Sequence, residues 1–267
     1  MQTEAILSKM LLAHQSPVQV YAEAGTHLWH LNAQIGKQMT LVSSGLWTCK
    51  ACRKTFTTLF RMGCCKRCFF ESPLAGEAIL RPELSTAHLG QADRDLAYES
   101  QYQLQPHVVY LADTGSIKVG VTRKEQRHTR WMDQGASRAR IIAITANRYE
   151  AGAIEVALKE RFTDKTSWRQ MLGGIQSPLD LELEAMEARA FFPDSLVHYF
   201  VPDGEEIAIN YPAEAILKCT ALRLSNNQQI EGVLRGIRGQ YLVLSGNRVF
   251  NVRGHEGAHV HWGFTNL

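Results

Sequence analysis

Five of the six cysteines fall within twenty residues: Cys49, Cys52, Cys64, Cys65 and Cys68. Cys49/Cys52 and Cys65/Cys68 form two C-x2-C knuckles separated by twelve residues, and Cys64 is a neighbour that could replace Cys65. Thiolates at this spacing can close a tetrahedral Zn²⁺ site, because each knuckle turns two sulfurs toward one metal. Four protein ligands leave no open position, so the expected Zn²⁺ is structural. The segment between the knuckles, RKTFTTLFRMGC, is expected to form a hairpin with Phe56 and Phe60 over the site. A thioredoxin-like redox motif would use one C-x2-C in a βαβ context. The N-terminal MQTEAILSKMLLAHQSP has a Glu before any cationic region and no clear cleavage site. A reducing, cytoplasmic setting is therefore expected, which disfavours disulfides.

A second set of residues could handle phosphate. On a helix over NRYEAGAIEVALKERF, capped by Asn147, Ala151, Ile154, Leu158 and Phe162 share one face, and Glu155 falls about 60° from its centre. A carboxylate turned inward is either paired with a neighbouring Arg or bound to a cation. One carboxylate completed by phosphate and water is a usual Mg²⁺ arrangement. Tyr110 and Arg130 are candidates to converge on it. A Tyr oxygen can take a proton from water once cationic neighbours lower its pKa, and Arg offers a planar fork to phosphate oxygens.

These side chains need elements to hold them. HVVYLA, DTGS and IKVGV read as a strand, turn and strand, which is a hairpin. RKEQRHTRWMDQ reads as a helix ending at Gly135, ARIIAIT as a third strand, and PLDLELEAMEARAFF as a further helix. Short apolar runs over 17–48 read as β-structure. LKCTALRLS, QIEGVLRGI, QYLVLS, RVFNVR and HVHW, broken by NNQ, RG, GN and GHEG, read as five strands of a small barrel or sandwich. The division expected is a β segment over 1–46 that can join the C-terminal barrel, a zinc knuckle over 47–72, a connector over 73–105, an α/β domain over 106–203 and a C-terminal β domain over 204–267. The expected class is α+β.

Composition agrees with a globular chain: 45% of the 267 residues are hydrophobic and 21% charged, which excludes collagen-like, coiled-coil and wholly disordered chains. No stretch nears the roughly 18 apolar residues of a membrane span, so no membrane partner is expected. The overall charge of +3 hides segregation. Segments 50–81 and 118–140 are each net +5, and 178–216 is net −8. Basic segments of this kind are the footprint expected for a phosphate-rich partner.

The segment VVYLADTGSIKVGVTRKEQRHTRWMDQGA followed by AGAIEVALKERF resembles the GIY-YIG nuclease fold, over about 107–163. The resemblance implies metal-dependent phosphodiester hydrolysis by a Tyr, an Arg and a metal-binding Glu. Tyr110 falls on the first motif's Tyr, Gly120 on the second motif's Gly, and Glu155 on the metal ligand. Arg130 falls on the helical Arg, with Arg127 as the competing match. Lys118 stands where the second motif has Tyr, Val108 and Val109 replace the first motif's Gly and Ile, and Gln134 stands where a His or Tyr follows the helical Arg. The whole chain also resembles the bacterial DUF2797 family, in the paired C-x2-C knuckles, ILRPEL, HVVYLA, KVGVTR, TRWMDQGAS, DKTSWRQML, INYP and GIRGQYLVL.

Two functions are expected on this basis. The first is a zinc-containing nucleic-acid-interacting protein with a GIY-YIG-like domain that hydrolyses phosphodiesters. In it Glu155 holds Mg²⁺ or Mn²⁺, Tyr110 is the base, Arg130 stabilises phosphoryl charge, and Lys118, Arg123 and Arg127 contact a DNA or RNA backbone. The second is a non-catalytic nucleic-acid-binding or adaptor protein on a degenerate nuclease-like scaffold.

Overall fold

The structure, a computed structural model, describes residues 2–225 and 228–267. It is a mixed α+β chain of two compact units. The first comprises the chain up to Phe69, Leu172–Gly174 and Ile209–Leu267; the second comprises Phe70–Met171 and Ile175–Ala208.

The first unit opens with strands β1 (Gln2–Ile6), β2 (Leu11–Ala13), β3 (Gln19–Ala24), β4 (His27–His30), β5 (Gln38–Thr48) and β6 (Thr55–Phe56), followed by the start of helix α1 (Lys66–Glu71). β2, β3 and β4 form a three-stranded antiparallel sheet. On β5, Met39, Leu41 and Ser43 are buried in strict alternation, the period-2 signature of a strand with one face on a core.

After short helical turns within 73–89, the second unit continues through α2 (Leu96–Gln103), β7 (His107–Asp113), β8 (Ile117–Arg123), α3 (Arg127–Asp133), β9 (Arg138–Thr145), α4 (Arg148–Leu158), α5 (Trp168–Leu172), α6 (Leu181–Ala188) and β10 (Glu206–Ala208). Its sheet has the order β10-β9-β7-β8, antiparallel throughout. Every residue of β7 is buried, which explains the unalternating apolar run HVVYLA. Val109, Leu111, Val119 and Val121 pack with Ala151, Ile154 and Leu158 of α4 and with Leu181 and Ala185 of α6. Tyr110 and Gly120, paired across β7 and β8, alternate with that set and so face the other way, where Trp131 of α3 meets the Tyr110 ring edge-on. Strand β8 is an edge strand.

The chain then returns to the first unit with β11 (Thr220–Leu222), β12 (Gln229–Arg238), β13 (Tyr241–Leu244), β14 (Arg248–Asn251) and β15 (Ala258–Thr265). The expected NNQ turn includes Asn226 and Asn227, which lie outside the described residues. These strands join β1 and β5 in an eight-stranded sheet of order β1-β15-β5-β12-β13-β14-β11, with β6 hydrogen-bonded to β5. The barrel-like domain expected at the C-terminus is not a closed barrel. Among the described residues the ladder runs as an open path, because β11 pairs in parallel with β14 instead of bridging back to β1.

Candidate functional site

The first cluster is built where β5 ends. Backbone contacts of Cys49 define the knuckle: its N–H donates to Lys54 O, its carbonyl accepts from Arg53 N–H, and Arg53 takes a left-handed φ of 60°. In the second knuckle Cys64 N–H donates to Arg61 O, and the turn passes through Met62 and Gly63 at φ 52° and 71°. Cys65 N–H then points at Cys49 Sγ at 3.3 Å, and Cys68 follows on α1. The ligand atoms of Cys49, Cys52, Cys65 and Cys68 lie within 4.8 Å of one another. A tetrahedron with Zn–S arms of about 2.3 Å has edges of about 3.8 Å, so this set could hold such a metal with little adjustment. Burial raises the Cys49 thiol, but N–H groups of Cys52, Cys65 and Ala51 outweigh it and bring the pKa down to about 6. That favours the thiolate a metal needs. Cys64 is buried beside the cluster and its pKa is raised, chiefly by burial; it is not one of the four.

The intervening segment folds back on itself in a tight turn, where Arg61 and Cys64 form an antiparallel bridge and Phe60 N–H donates to Cys64 O. Thr55 and Phe56 pair with Thr48 and Trp47 of β5, so the ladder partner is the main sheet. Phe60 stays 46% exposed and packs edge-to-face on Phe69.

The second cluster lies along β8 in the other unit. Opposite Tyr110, Gly120 leaves the space the ring fills: a Cβ there would sit 2.6 Å from the Tyr110 hydroxyl oxygen. That hydroxyl accepts from Gln134 Nε2 at 2.9 Å and donates toward Gln134 Oε1 at 3.2 Å. Burial pushes the Tyr110 phenol up, and the strongest opposing influence is the Arg130 guanidinium facing it. Two residues before Gly120, Lys118 is buried and donates from Nζ to Asp164 O and Thr166 Oγ1, both at 3.3 Å. Burial first, and Arg130 second, bring its pKa down to about 8, while Glu155 and Asp164 oppose them.

Glu155 is 8% exposed. Lys159 Nζ lies 3.9 Å from its carboxylate, and among the described residues that carboxylate accepts no hydrogen bond. Burial raises its pKa; Lys159, Arg148 and Lys118 pull the other way, and Glu83 adds to the rise. The expected alternative of an Arg salt bridge is not what the geometry holds. The nearby Arg148 directs Nε to Ala78 O at 2.9 Å and Nη2 to Ile79 O at 3.0 Å.

Tyr110, Arg130, Lys118 and Glu155 thus sit within electrostatic reach of one another. Arg127, the competing match for Arg130, is held elsewhere, with Nε 2.5 Å from Glu205, a carboxylate it shares with His128. Arg123 lies over the ring of Tyr102, as does Arg148, at 5.1 and 5.0 Å from the centroid. Sequence reasoning missed Arg148, Tyr102 and Glu83. Arg148 had a signal, because it shares a helical stripe with Glu155 at i, i+7. Tyr102 and Glu83 lie in the connector and had none.

Fold and clusters together define a mixed α+β protein with a four-cysteine metal-type site and a buried tyrosine, cation and glutamate cluster at a sheet edge. No helix among the described residues is long and apolar enough to cross a membrane. Residues 36–260 match the family described as protein of unknown function (DUF2797), and the chain belongs to that family. No curated protein and no solved structure matches it.

Proposed function

We propose that this is a zinc-containing, nucleic-acid-interacting protein whose second unit is a GIY-YIG-like phosphodiester hydrolase. The observation that carries the reading is the cluster along β8: Tyr110 over Gly120, faced by Arg130, with Lys118 and Glu155 in electrostatic range. The antiparallel β9-β7-β8 arrangement with α3 and α4 on opposite sides supports the same fold. Glu155 fits a divalent cation, since it is a buried carboxylate without a hydrogen-bond donor. Mg²⁺ or Mn²⁺ bound there would neutralise phosphate charge. Arg130 would fork onto the phosphate oxygens, and Lys118 and Arg123 would fix the backbone. In this reading Tyr110 would be the base that takes the proton of the attacking water. The four cysteines would hold Zn²⁺ as a structural ion, in keeping with a reducing, cytoplasmic setting.

One observation favours a second reading, a non-catalytic binding module. The Tyr110 phenol is fully buried and pushed up, and its oxygen is already engaged by Gln134, which makes it a poor base. A single experiment separates the two. Zinc-loaded protein is titrated with short DNA and RNA duplexes and single strands at two salt concentrations, with and without Mn²⁺, and the products are resolved on a gel. Mn²⁺-dependent cleavage abolished by Glu155→Gln with binding intact supports the hydrolase. Salt-sensitive binding without cleavage supports the binding module. No binding to any nucleic acid overturns both.

A further inference from the structure

Helix α4 carries Arg148, Gly152 and Glu155 on one stripe, at 0°, 40° and 340° of helical rotation by the 100° rule. Against this stripe lies the 78–84 segment. Arg148 grips its carbonyls at Ala78 and Ile79. At Gly152 the backbone of Glu83 comes so close that a Cβ would stand 2.2 Å from Glu83 N and 2.5 Å from Pro82 C. The glycine is therefore what lets the short helical turn Pro82–Leu84 sit on α4 one turn before Glu155.

Glu83 arrives there with unsatisfied chemistry. Its Oε1 accepts from Arg81 Nε at 3.1 Å, an Arg that is 61% exposed. Its Oε2 is cut off from solvent and has no hydrogen-bond partner. Glu155, nine-tenths buried, likewise accepts no hydrogen bond. Lys159, its nearest cation, is closer to Asp164 at 3.3 Å than to Glu155 at 3.9 Å. Glu83 lies near enough to Glu155 to disfavour its ionisation. Glu83 Oε2 and the largely buried Glu155 carboxylate are thus held with no hydrogen-bond donor, a costly arrangement that a cation between them would relieve.

We propose that Glu83 and Glu155 together bind one divalent cation of the hard, oxygen-seeking class, Mg²⁺ or Mn²⁺. The site joins a residue of α4 to one of a segment outside the β7–α4 core. Its remaining coordination positions go to water or to the oxygens of a bound phosphate. The inference rests on the reading of Glu155 as a cation ligand and adds Glu83 as the second ligand. It also gives a reason for the tight seat of 82–84 on Gly152: that contact sets the distance between the two carboxylates.

The test is direct Mn²⁺ binding to the full-length, zinc-loaded protein, followed by loss of the free-ion paramagnetic resonance signal, with no nucleic acid present. Wild type should bind one Mn²⁺ per chain beyond the zinc, and Mn²⁺ should raise its thermal midpoint. Glu83→Gln and Glu155→Gln should each weaken binding at least about tenfold and abolish the thermal shift. Glu83→Asp, which keeps the charge but draws it back by one methylene, should bind more weakly than wild type and serves if the Gln variant does not fold. Wild-type affinity in both Glu83 variants with loss in Glu155→Gln overturns the second ligand and leaves the one-carboxylate reading standing. Wild-type affinity in Glu155→Gln, or no Mn²⁺ bound by wild type, overturns both.

Discussion

Replacing Gly152 by Ala sets two effects of opposite sign against each other. In an unobstructed helix interior the change stabilises by about 1 kcal/mol, because Gly loses more backbone entropy. Here the new Cβ would lie 2.2 Å from Glu83 N, 2.5 Å from Pro82 C and 2.8 Å from Glu83 Cα. All three are backbone atoms and cannot rotate away. Restoring ordinary contact requires the 82–83 backbone to retreat by about 1.2 Å or more. Forced overpacking of this kind costs about 1–3 kcal/mol. The same retreat would pull at the Arg148 bonds to Ala78 and Ile79, now 2.9 and 3.0 Å, until they leave hydrogen-bond range. Losing a hydrogen bond to a charged group costs about 1.5–3 kcal/mol. Less the helix gain, Gly152→Ala should destabilise by about 3 kcal/mol. Urea unfolding followed by far-ultraviolet circular dichroism measures it, and amide exchange should speed up selectively over 78–84. A variant as stable as wild type, or more stable by about 1 kcal/mol, would refute the close seat of Glu83 on α4 and with it the geometry of the two-glutamate site.

Further outcomes follow from other parts of the chain. Cys49→Ser or Cys65→Ser should lower zinc content well below one per chain by metal analysis, whereas Cys64→Ser should leave it unchanged; zinc loss in Cys64→Ser would reassign the ligand set. Burial, with Arg148 and Arg123 nearby, lowers the His107 pKa to about 4 against the Nδ1 hydrogen bond to Gln105 O. The unfolded chain therefore binds the extra proton first, so His107 destabilises the fold as pH falls from about 6.5 toward 4, by about 3 kcal/mol. Urea midpoints of wild type and His107→Leu should converge or cross over that window, and a pH-independent difference would contradict the assignment. Lys118, with its pKa brought down to about 8, loses its charge as pH rises through that value. Affinity for a phosphate-bearing strand should then drop between about pH 7 and pH 9 in wild type and stay flat in Lys118→Met. Gly120→Ala, whose Cβ would strike the buried Tyr110 ring, should cost about 1–3 kcal/mol and alter the Tyr110 environment seen by near-ultraviolet dichroism.

What could be read along the chain is what depends on neighbours in sequence. The cysteine cluster was legible because a C-x2-C knuckle closes on itself through local bonds such as Arg53 N–H to Cys49 O and Cys64 N–H to Arg61 O. The β7–β8 hairpin was legible for the same reason, since DTGS joins strands that pair residue by residue from His107 with Arg123 to Asp113 with Ile117. The inward turn of Glu155 followed from helical arithmetic alone. What faces Glu155 did not. That depends on Glu83, seventy-two residues earlier, being carried onto Gly152 by contacts no local pattern encodes. Arg127 and Arg130 carry the same charge on the same helix, and only tertiary packing puts one on Glu205 and the other at Tyr110. The open sheet is likewise a long-range result. Alternation makes β1, β5 and β15 strands, but the hydrogen bonds that join residue 2 to residue 263 are chosen by which apolar faces can be buried together.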